Sequence, residues 1–290
     1  MAMAINGHTR LLALIGSPVG HSGSPAMQNY SCERTGVDGA YLAFDIKEEQ
    51  TKEAFDALRL LNVQGFNVTM PCKTAAAACC DELSKAAELI GAVNTVVNEN
   101  GKMVGYITDG QGWVRNCREN GVEIAGKKMT IVGSGGAATA IEITAALEGI
   151  RELSIFAIKD SFFANAEATV EKIRTHVPEC TVNLYDLADK EKFYQEIASS
   201  DIFTNATRVG MKPMDNESLI EDKSAFRKDL VVTDVVYNPR ETRMIKEAKE
   251  AGCKAIPGVG MLLWQGAEGF KLFTGNEMPA AEVMEKFFKD

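Results

Sequence analysis

The residues with the plainest chemical meaning form one glycine-rich turn. Met129 to Val132 reads as a short apolar strand that runs directly into Gly133-Ser134-Gly135-Gly136-Ala137-Ala138, and an Ala-rich helix is expected to follow. This is the G-x-G-x-x-A form of a dinucleotide fingerprint in its strand–turn–helix setting. Gly133 permits the tight turn, Gly135 lets backbone approach a pyrophosphate, and Ala138 is small enough for the helix to pack on the strand. The helix N-terminus then offers unpaired N–H groups and a positive dipole end to the anion, and Ser134 adds a hydroxyl donor. A glycine-rich turn without a ligand is the plain alternative; the flanking strand and helix weigh against it.

The next strand should end near the adenosine ribose, at Phe156-Ala157-Ile158-Lys159-Asp160. Asp160 lies further along than the usual spacing of about 20 residues, but at a plausible strand end. A carboxylate there accepts a hydrogen bond from a ribose 2′-hydroxyl and repels a 2′-phosphate, which favours NAD. Lys159 could pair with a 2′-phosphate, so NADP stays open.

Four segments in the first part of the chain carry more polar residues near strand ends than routine loops do. They span residues 16–25, 65–73, 91–95 and 105–110. Taken singly, their residues have ordinary readings. Lys73 reads as a surface lysine, and Asp109 as the N-cap of a helix through Trp113 and Val114. Ser24 reads as another N-cap, Asn94 as a turn residue, His21 as a structural hydrogen-bonder and Cys72 as pocket lining.

The elements that must position these groups alternate strand with helix. Strands are expected at 11–15, 41–46, 65–69, 92–97 and 103–107, with Asn100-Gly101 as a hairpin turn between the last two. Ser24-Pro25 opens a helix, Ser as N-cap and Pro at the first helical position, and another helix runs over 48–61. Beyond residue 128 strands are expected at 129–132, 153–158, 181–184, 201–203, 230–234 and 254–256, and helices at 137–147, 164–177, 261–273 and 280–289. Such alternation predicts a parallel sheet covered on both faces.

Composition narrows the function class. The formal net charge is −9 with no basic stretch, which argues against nucleic acid because phosphate neutralisation needs a basic footprint. No apolar run approaches the roughly 20 residues of a bilayer span, and no secretory signal pattern is seen at the N-terminus. Seven cysteines, an odd number without C-x-x-C spacing, argue for a reducing compartment and against a disulfide framework or structural zinc. A cytoplasmic protein with a small-molecule partner and no metal is expected, and a homodimer is left open.

The polar segments together resemble the shikimate dehydrogenase family, in which H-S-x-S-P, N-V-T-x-P-x-K, G-A-x-N-T and T-D-G occur in that order. Here they are His21 to Pro25, Asn67 to Lys73, Gly91 to Thr95 and Thr108 to Gly110. The resemblance continues through the glycine turn, Asn205-Ala206-Thr207, Val235 to Pro239 and Gly260 to Ala267, and so covers essentially the whole chain. Gly210 to Pro213 and Leu263 to Ala267 look like the quinate/shikimate branch in particular. Each motif is loose alone; their common order is specific.

The resemblance implies an N-terminal α/β substrate domain plus a Rossmann-type, doubly wound dinucleotide domain. These would be residues 1–110, completed by C-terminal helices over 262–290, and residues 111–261, with the active site in the cleft. It implies NAD(P)-linked interconversion of shikimate and 3-dehydroshikimate, and of quinate and 3-dehydroquinate. Lys73 and Asp109 would be the catalytic pair. Ser22 and Ser24 would hold the substrate carboxylate, with Tyr237 near that end, and Asn67, Thr69, Asn94, Asp109 and Gln265 would line the ring. Ser134, Gly135, Gly136 and Ala137 would meet the pyrophosphate, Ala157, Lys159 and Asp160 the ribose, and Arg208, Val235 and Gly258 the rest of the groove. The chemistry is coherent: alcohol oxidation must remove a hydroxyl proton as hydride leaves carbon, work that a lysine and a carboxylate can share.

Departures bear on the finer expectations. Ile107 stands where Asn is common before Thr-Asp-Gly, and Cys72 stands where a bulkier residue is common. Ala157-Ile158 replaces the Asn-Arg of NADP-dependent relatives, which removes a bidentate phosphate clamp and again favours NAD. The rivals are the same fold acting on another cyclic hydroxy acid, of amino-shikimate type for instance, and a non-catalytic ligand sensor.

Overall fold

The computed structural model describes residues 5–288. The chain divides into two compact units, Met1–Thr108 with Leu263–Asp290, and Asp109–Leu262.

The first unit runs β1 (Arg10–Gly16), α1 (Ser24–Thr35), β2 (Gly39–Asp45), α2 (Thr51–Leu60), β3 (Gly65–Val68), α3 (Lys73–Cys79), β4 (Glu82–Leu83), α4 (Lys85–Ile90), β5 (Thr95–Glu99) and β6 (Lys102–Tyr106). The second runs α5 (Asp109–Glu119), β7 (Lys128–Val132), α6 (Gly136–Leu147), β8 (Glu152–Ala157), α7 (Phe163–His176), β9 (Thr181–Asp186), α8 (Lys190–Ser199), β10 (Ile202–Asn205), β11 (Val231–Asp234), α9 (Arg243–Glu250) and β12 (Lys254–Ile256). Helix α10 (Val259–Thr274) carries the chain back to the first unit, which ends with α11 (Ala280–Phe287).

The first sheet has the order β2-β1-β3-β5-β6-β4. It is mixed: β5 is antiparallel to both neighbours, while β1 is parallel to β2 and β3. Strand β1 is apolar from Leu11 onward because, past its exposed first residue Arg10, it packs on both faces. Ala13 and Ile15 pack with Phe55 and Leu58 of α2, whereas Leu12 and Leu14 pack with Met27 of α1 and Phe270 of α10. The β5–β6 turn is the expected hairpin, with Asn100 at φ 56° and Gly101 at φ 93°.

Two local expectations need correction. The cap residue of α1 is Gly23, not Ser24; the capping contact comes from Ser22, whose Oγ accepts a hydrogen bond from Ser24 N at 3.2 Å. The segment after Lys73 was not assigned, yet it forms α3, β4 and α4. Its run of alanines carries no apolar period that separates a short helix from a loop.

The second sheet has the order β12-β11-β10-β7-β8-β9, and all its pairings are parallel. From β9 inward this is the 3-2-1-4-5-6 arrangement of a dinucleotide-binding sheet, with its switch point between β7 and β10. A buried ion cluster ties the strands to α8. Lys128 Nζ lies 2.8 Å from Glu152 and 2.7 Å from Glu196, and Ser154 Oγ donates to Glu196 at 2.7 Å. Burial alone would raise the Glu196 carboxyl, but hydrogen bonds from Lys128, Lys192 and Ser154 bring it down to about 2.

Glu142 on α6 is the opposite case. It is fully buried, and neither carboxyl oxygen meets a hydrogen-bond partner among the described residues. Burial pushes it up to about 8 from 4.5. The folded state therefore holds a proton that the unfolded chain releases, so the penalty is absent below the unfolded value, grows as pH rises, and is complete above about 8. Glu142→Gln is expected to match the wild-type Tm near pH 4 and to exceed it at pH 9, by roughly 3–5 kcal/mol of stability. Thermal melts across that range check this; a gap that does not change with pH would sink it.

Candidate active site

In the second unit the glycine turn is built as its sequence requires, and for two different reasons. Gly133 has φ +146°, and a Cβ there would lie 2.8 Å from Ala206 O and 3.0 Å from Ala138 Cβ. The protein itself demands that glycine, because the turn passes the loop after β10 and α6 packs closely on β7. Gly135 and Gly136 differ. An added Cβ at either meets nothing within 4 Å, and Gly135, at φ −89°, sits in ordinary backbone space. No side chain caps α6, whose first residues are solvent-exposed. The fold does not require bare backbone here, whereas close approach of an anionic ligand would.

The strand ends beside this turn carry the other expected nucleotide residues. Ala157 ends β8 and is buried, while Ile158, Lys159 and Asp160 are exposed. Asp160 Oδ1 accepts a hydrogen bond from Phe162 N at 2.8 Å, and Lys159 Nζ lies 3.6 Å from Asp186 at the end of β9. Arg208 is exposed on the loop after β10, and Val235 is half-buried after β11. Gly258 has a packing reason: its Cβ would lie 2.5 Å from Val235 O. Tyr237 is exposed on the loop after β11.

Sequence reasoning missed the group that joins those two loops. Asp234, 1% exposed, accepts from Asn205 Nδ2 at 3.0 Å, Val236 N at 2.9 Å and Thr242 Oγ1 at 2.7 Å. Burial pushes its carboxyl up to about 7 against those donors. Asn205 Oδ1 in turn accepts from Thr207 N and Thr207 Oγ1, so one buried carboxylate holds the ends of β10 and β11 together. A polar residue at the end of each apolar strand was the available signal.

In the first unit the expected substrate residues converge on the ends of β1 and β3. The loops after these strands are stitched by Ser17 N to Met70 O and Thr69 N to Ile15 O. Gly16, at φ +149°, lets Thr69 cross it; a Cβ there would lie 2.4 Å from Thr69 Cγ2. Asn67 Oδ1 accepts from Tyr41 OH at 2.7 Å, while its Nδ2 donates to Asn94 O at 3.2 Å and Thr95 Oγ1 at 3.0 Å. Burial raises the Tyr41 phenol far above its usual range, so it keeps the proton it donates. Asn94 Oδ1 accepts from Thr108 N at 2.8 Å, and its Nδ2 donates to Thr108 Oγ1 at 3.0 Å. Asn94, at the bend before β5, is also the buried link between β5 and the segment that leads into Asp109. Tyr41, Thr95 and Thr108 were not foreseen as partners.

Lys73 is the first residue of α3, and its carbonyl accepts from Val93 N at 3.1 Å, which places its backbone beside Asn94. A cation in the first turn faces the positive end of the peptide dipoles, so helix energetics do not account for a lysine here. They do account for Asp109, the first residue of α5. Gly110 lets α5 close on α6, since its Cβ would lie 2.1 Å from Thr144 Oγ1, and this anchors Asp109 within the second unit. Gln265 is half-buried on α10, one turn before Gly269, whose Cβ would lie 3.2 Å from Asn67 Nδ2. Ser22 and Ser24 are half-buried at the start of α1.

Two side readings fail. Cys72 is fully buried, with Sγ donating to Ile46 O at 3.3 Å; it is core, not pocket lining. His21, expected as a structural hydrogen-bonder, is exposed. Among the described residues no group of three His, Cys, Asp or Glu side chains could hold a metal ion.

Comparison with known proteins decides the family. The chain is 50% identical over 284 residues to a shikimate dehydrogenase (NADP(+)) of Listeria innocua, covering 98% of this chain and 97% of the relative. The chain belongs to the shikimate dehydrogenase family. Residues 14–96 match the shikimate dehydrogenase substrate binding domain, and residues 258–286 the shikimate 5'-dehydrogenase C-terminal domain. Among solved structures, shikimate 5-dehydrogenase of Listeria monocytogenes, in complex with shikimate and NAD, superposes with a TM-score of 0.95 at 49% identity, covering 98% of each chain. Quinate dehydrogenase of Corynebacterium glutamicum, in complex with NAD, gives 0.84 at 31% identity, covering 97% of this chain and 99% of that one. A shikimate dehydrogenase fold thus accounts for both sheets described above.

Proposed function

We propose that this chain reversibly oxidises a ring hydroxyl of shikimate to give 3-dehydroshikimate, and oxidises quinate to 3-dehydroquinate in the same way, using a nicotinamide dinucleotide. The first unit binds the ring acid and the second the dinucleotide. The observation that carries the reading is the residual hydrogen-bonding capacity of Asn67 and Asn94. Both N–H groups of Asn67 are engaged, which leaves it an oxygen lone pair, while Asn94 keeps one N–H. A donor and an acceptor side by side, one on β3 and one just before β5, complement a hydroxyl, which both gives and takes a hydrogen bond.

Alcohol oxidation needs the hydroxyl proton to leave as the carbon is oxidised, and a bound nicotinamide ring supplies the hydride acceptor. In this reading Lys73 and Asp109 share the proton transfer. Asp109 follows Thr108 directly in the chain, and Thr108 is held by Asn94, so the carboxylate starts from a fixed point. Ser22 and Ser24 hold the substrate carboxylate with Tyr237, while Thr69 and Gln265 orient the ring. Residues 134–137 take the pyrophosphate, and Arg208, Val235 and Gly258 flank the remaining groove.

For the choice of dinucleotide, the name of the Listeria innocua relative speaks for NADP, while the uncharged Ala157 and Ile158 and the nearby Asp160 speak for NAD. Both are proposed to serve. Steady-state kinetics on the four pairings of shikimate or quinate with NAD or NADP test this. Turnover of shikimate with both dinucleotides is expected, with quinate oxidised as well. Failure to oxidise either acid would overturn the substrate assignment.

A further inference from the structure

Strands β8 and β9 are parallel neighbours, and their last register pair is Ala157 with Asp186. Both therefore end on the same edge of the sheet as the glycine turn, and the adenosine ribose of a dinucleotide lies past the second strand of this arrangement. Ala157 and Ile158 bring no charge to that edge. The charged residues that follow or end these two strands first are Lys159, Asp160 and Asp186. Asp160 is turned onto Phe162 N, and Asp186 Oδ1 accepts from Ala188 N at 2.9 Å, so both carboxylates are oriented by backbone. Lys159 is the adjustable member. Its side chain is 65% exposed, and its ammonium sits 3.6 Å from Asp186 Oδ2 and 5.9 Å from the Phe163 ring centroid.

We propose that the Lys159–Asp186 ion pair sets how strongly this chain distinguishes a dinucleotide carrying a 2′-phosphate from one carrying a free 2′-hydroxyl. Lys159 supplies the cation for the phosphate, and Asp186 holds that cation back. An exposed lysine–carboxylate pair is weakly held and readily gives way to a competing dianion. Asp186 stays where it is, because Ala188 N holds it, so a phosphate must draw the ammonium away from a fixed carboxylate. With a free 2′-hydroxyl the pair remains intact, and Asp160 can accept the hydroxyl's hydrogen bond. The arrangement accounts for a chain that lacks an arginine at position 158 without excluding NADP. The inference rests on the dinucleotide reading of the second unit given above.

The test uses the full-length protein with shikimate at saturation and the ratio of KM for NADP to KM for NAD as its readout. Asp186→Asn is expected to lower that ratio about fivefold, and Lys159→Met to raise it about fivefold, since an exposed pair contributes on that scale. The double variant should show the ratio of Lys159→Met alone, because Asp186 acts through the lysine. A ratio that stays within about twofold of wild type in Asp186→Asn, or that changes equally in the presence and absence of Lys159, overturns the inference. A wild-type protein that binds neither dinucleotide in a fluorescence titration overturns the functional reading, and the inference with it. Lys159 is exposed and Asp186 half-buried, and a thermal melt of each variant confirms that folding is intact.

Discussion

Lys73→Ala is expected to lower turnover by about 10²–10⁴-fold, the usual contribution of a positioned proton-transfer group. Dinucleotide binding should remain nearly intact, because Lys73 belongs to the first unit and the glycine turn to the second. The variant keeps the backbone of this position. The carbonyl that receives Val93 N is retained, and alanine is a good helix former. The result to look for is a slow, folded enzyme that still binds dinucleotide, read from steady-state kinetics, a dinucleotide titration and a thermal melt. Unchanged turnover would remove Lys73 from the mechanism.

The second large effect is expected at Gly135, where stability and binding should move in opposite directions. Gly135 is the cap residue of α6, its φ of −89° suits any residue, and no atom lies within 4 Å of an added Cβ. Gly135→Asp therefore installs a good N-cap at the positive end of the helix, which should stabilise the unliganded protein by up to about 1 kcal/mol. The same carboxylate stands where a pyrophosphate would lie. Two like charges about 4 Å apart near a protein surface repel by roughly 4 kcal/mol, so dinucleotide affinity should fall on the order of 10³-fold. Titration and melting of the same sample measure both signs at once. Wild-type affinity in this variant would mean that the pyrophosphate does not lie on α6. Gly133 makes a useful contrast, because a side chain there meets Ala206 and Ala138, and its loss would confound binding with folding.

Much of this protein was legible because its signals are local. A strand–glycine turn–helix sequence specifies its own geometry within ten residues, and β12 was read to its ends, Lys254–Ile256. The hairpin at Asn100-Gly101 follows from two residues that accept positive φ. The short elements α3, β4 and α4 were missed because an alanine run packs by its small size, which has no period to read. Cys72 was misjudged because proximity in sequence to Lys73 says nothing of direction: residue 72 turns inward to Ile46 O, and residue 73 begins the helix.

The glycine turn and the order of polar motifs were determined by sequence alone, since each depends on residues that are neighbours in the chain. Which partner each polar group meets was decided only by tertiary structure. Asn67 joins Tyr41 and Thr95, Asn94 joins Thr108, Asp234 joins Asn205 and Thr242, and Lys159 joins Asp186. Most of these pairs are separated by more than a dozen residues. A buried polar group must find a partner wherever the packed strands put one, and that depends on register and crossover, which no local pattern encodes.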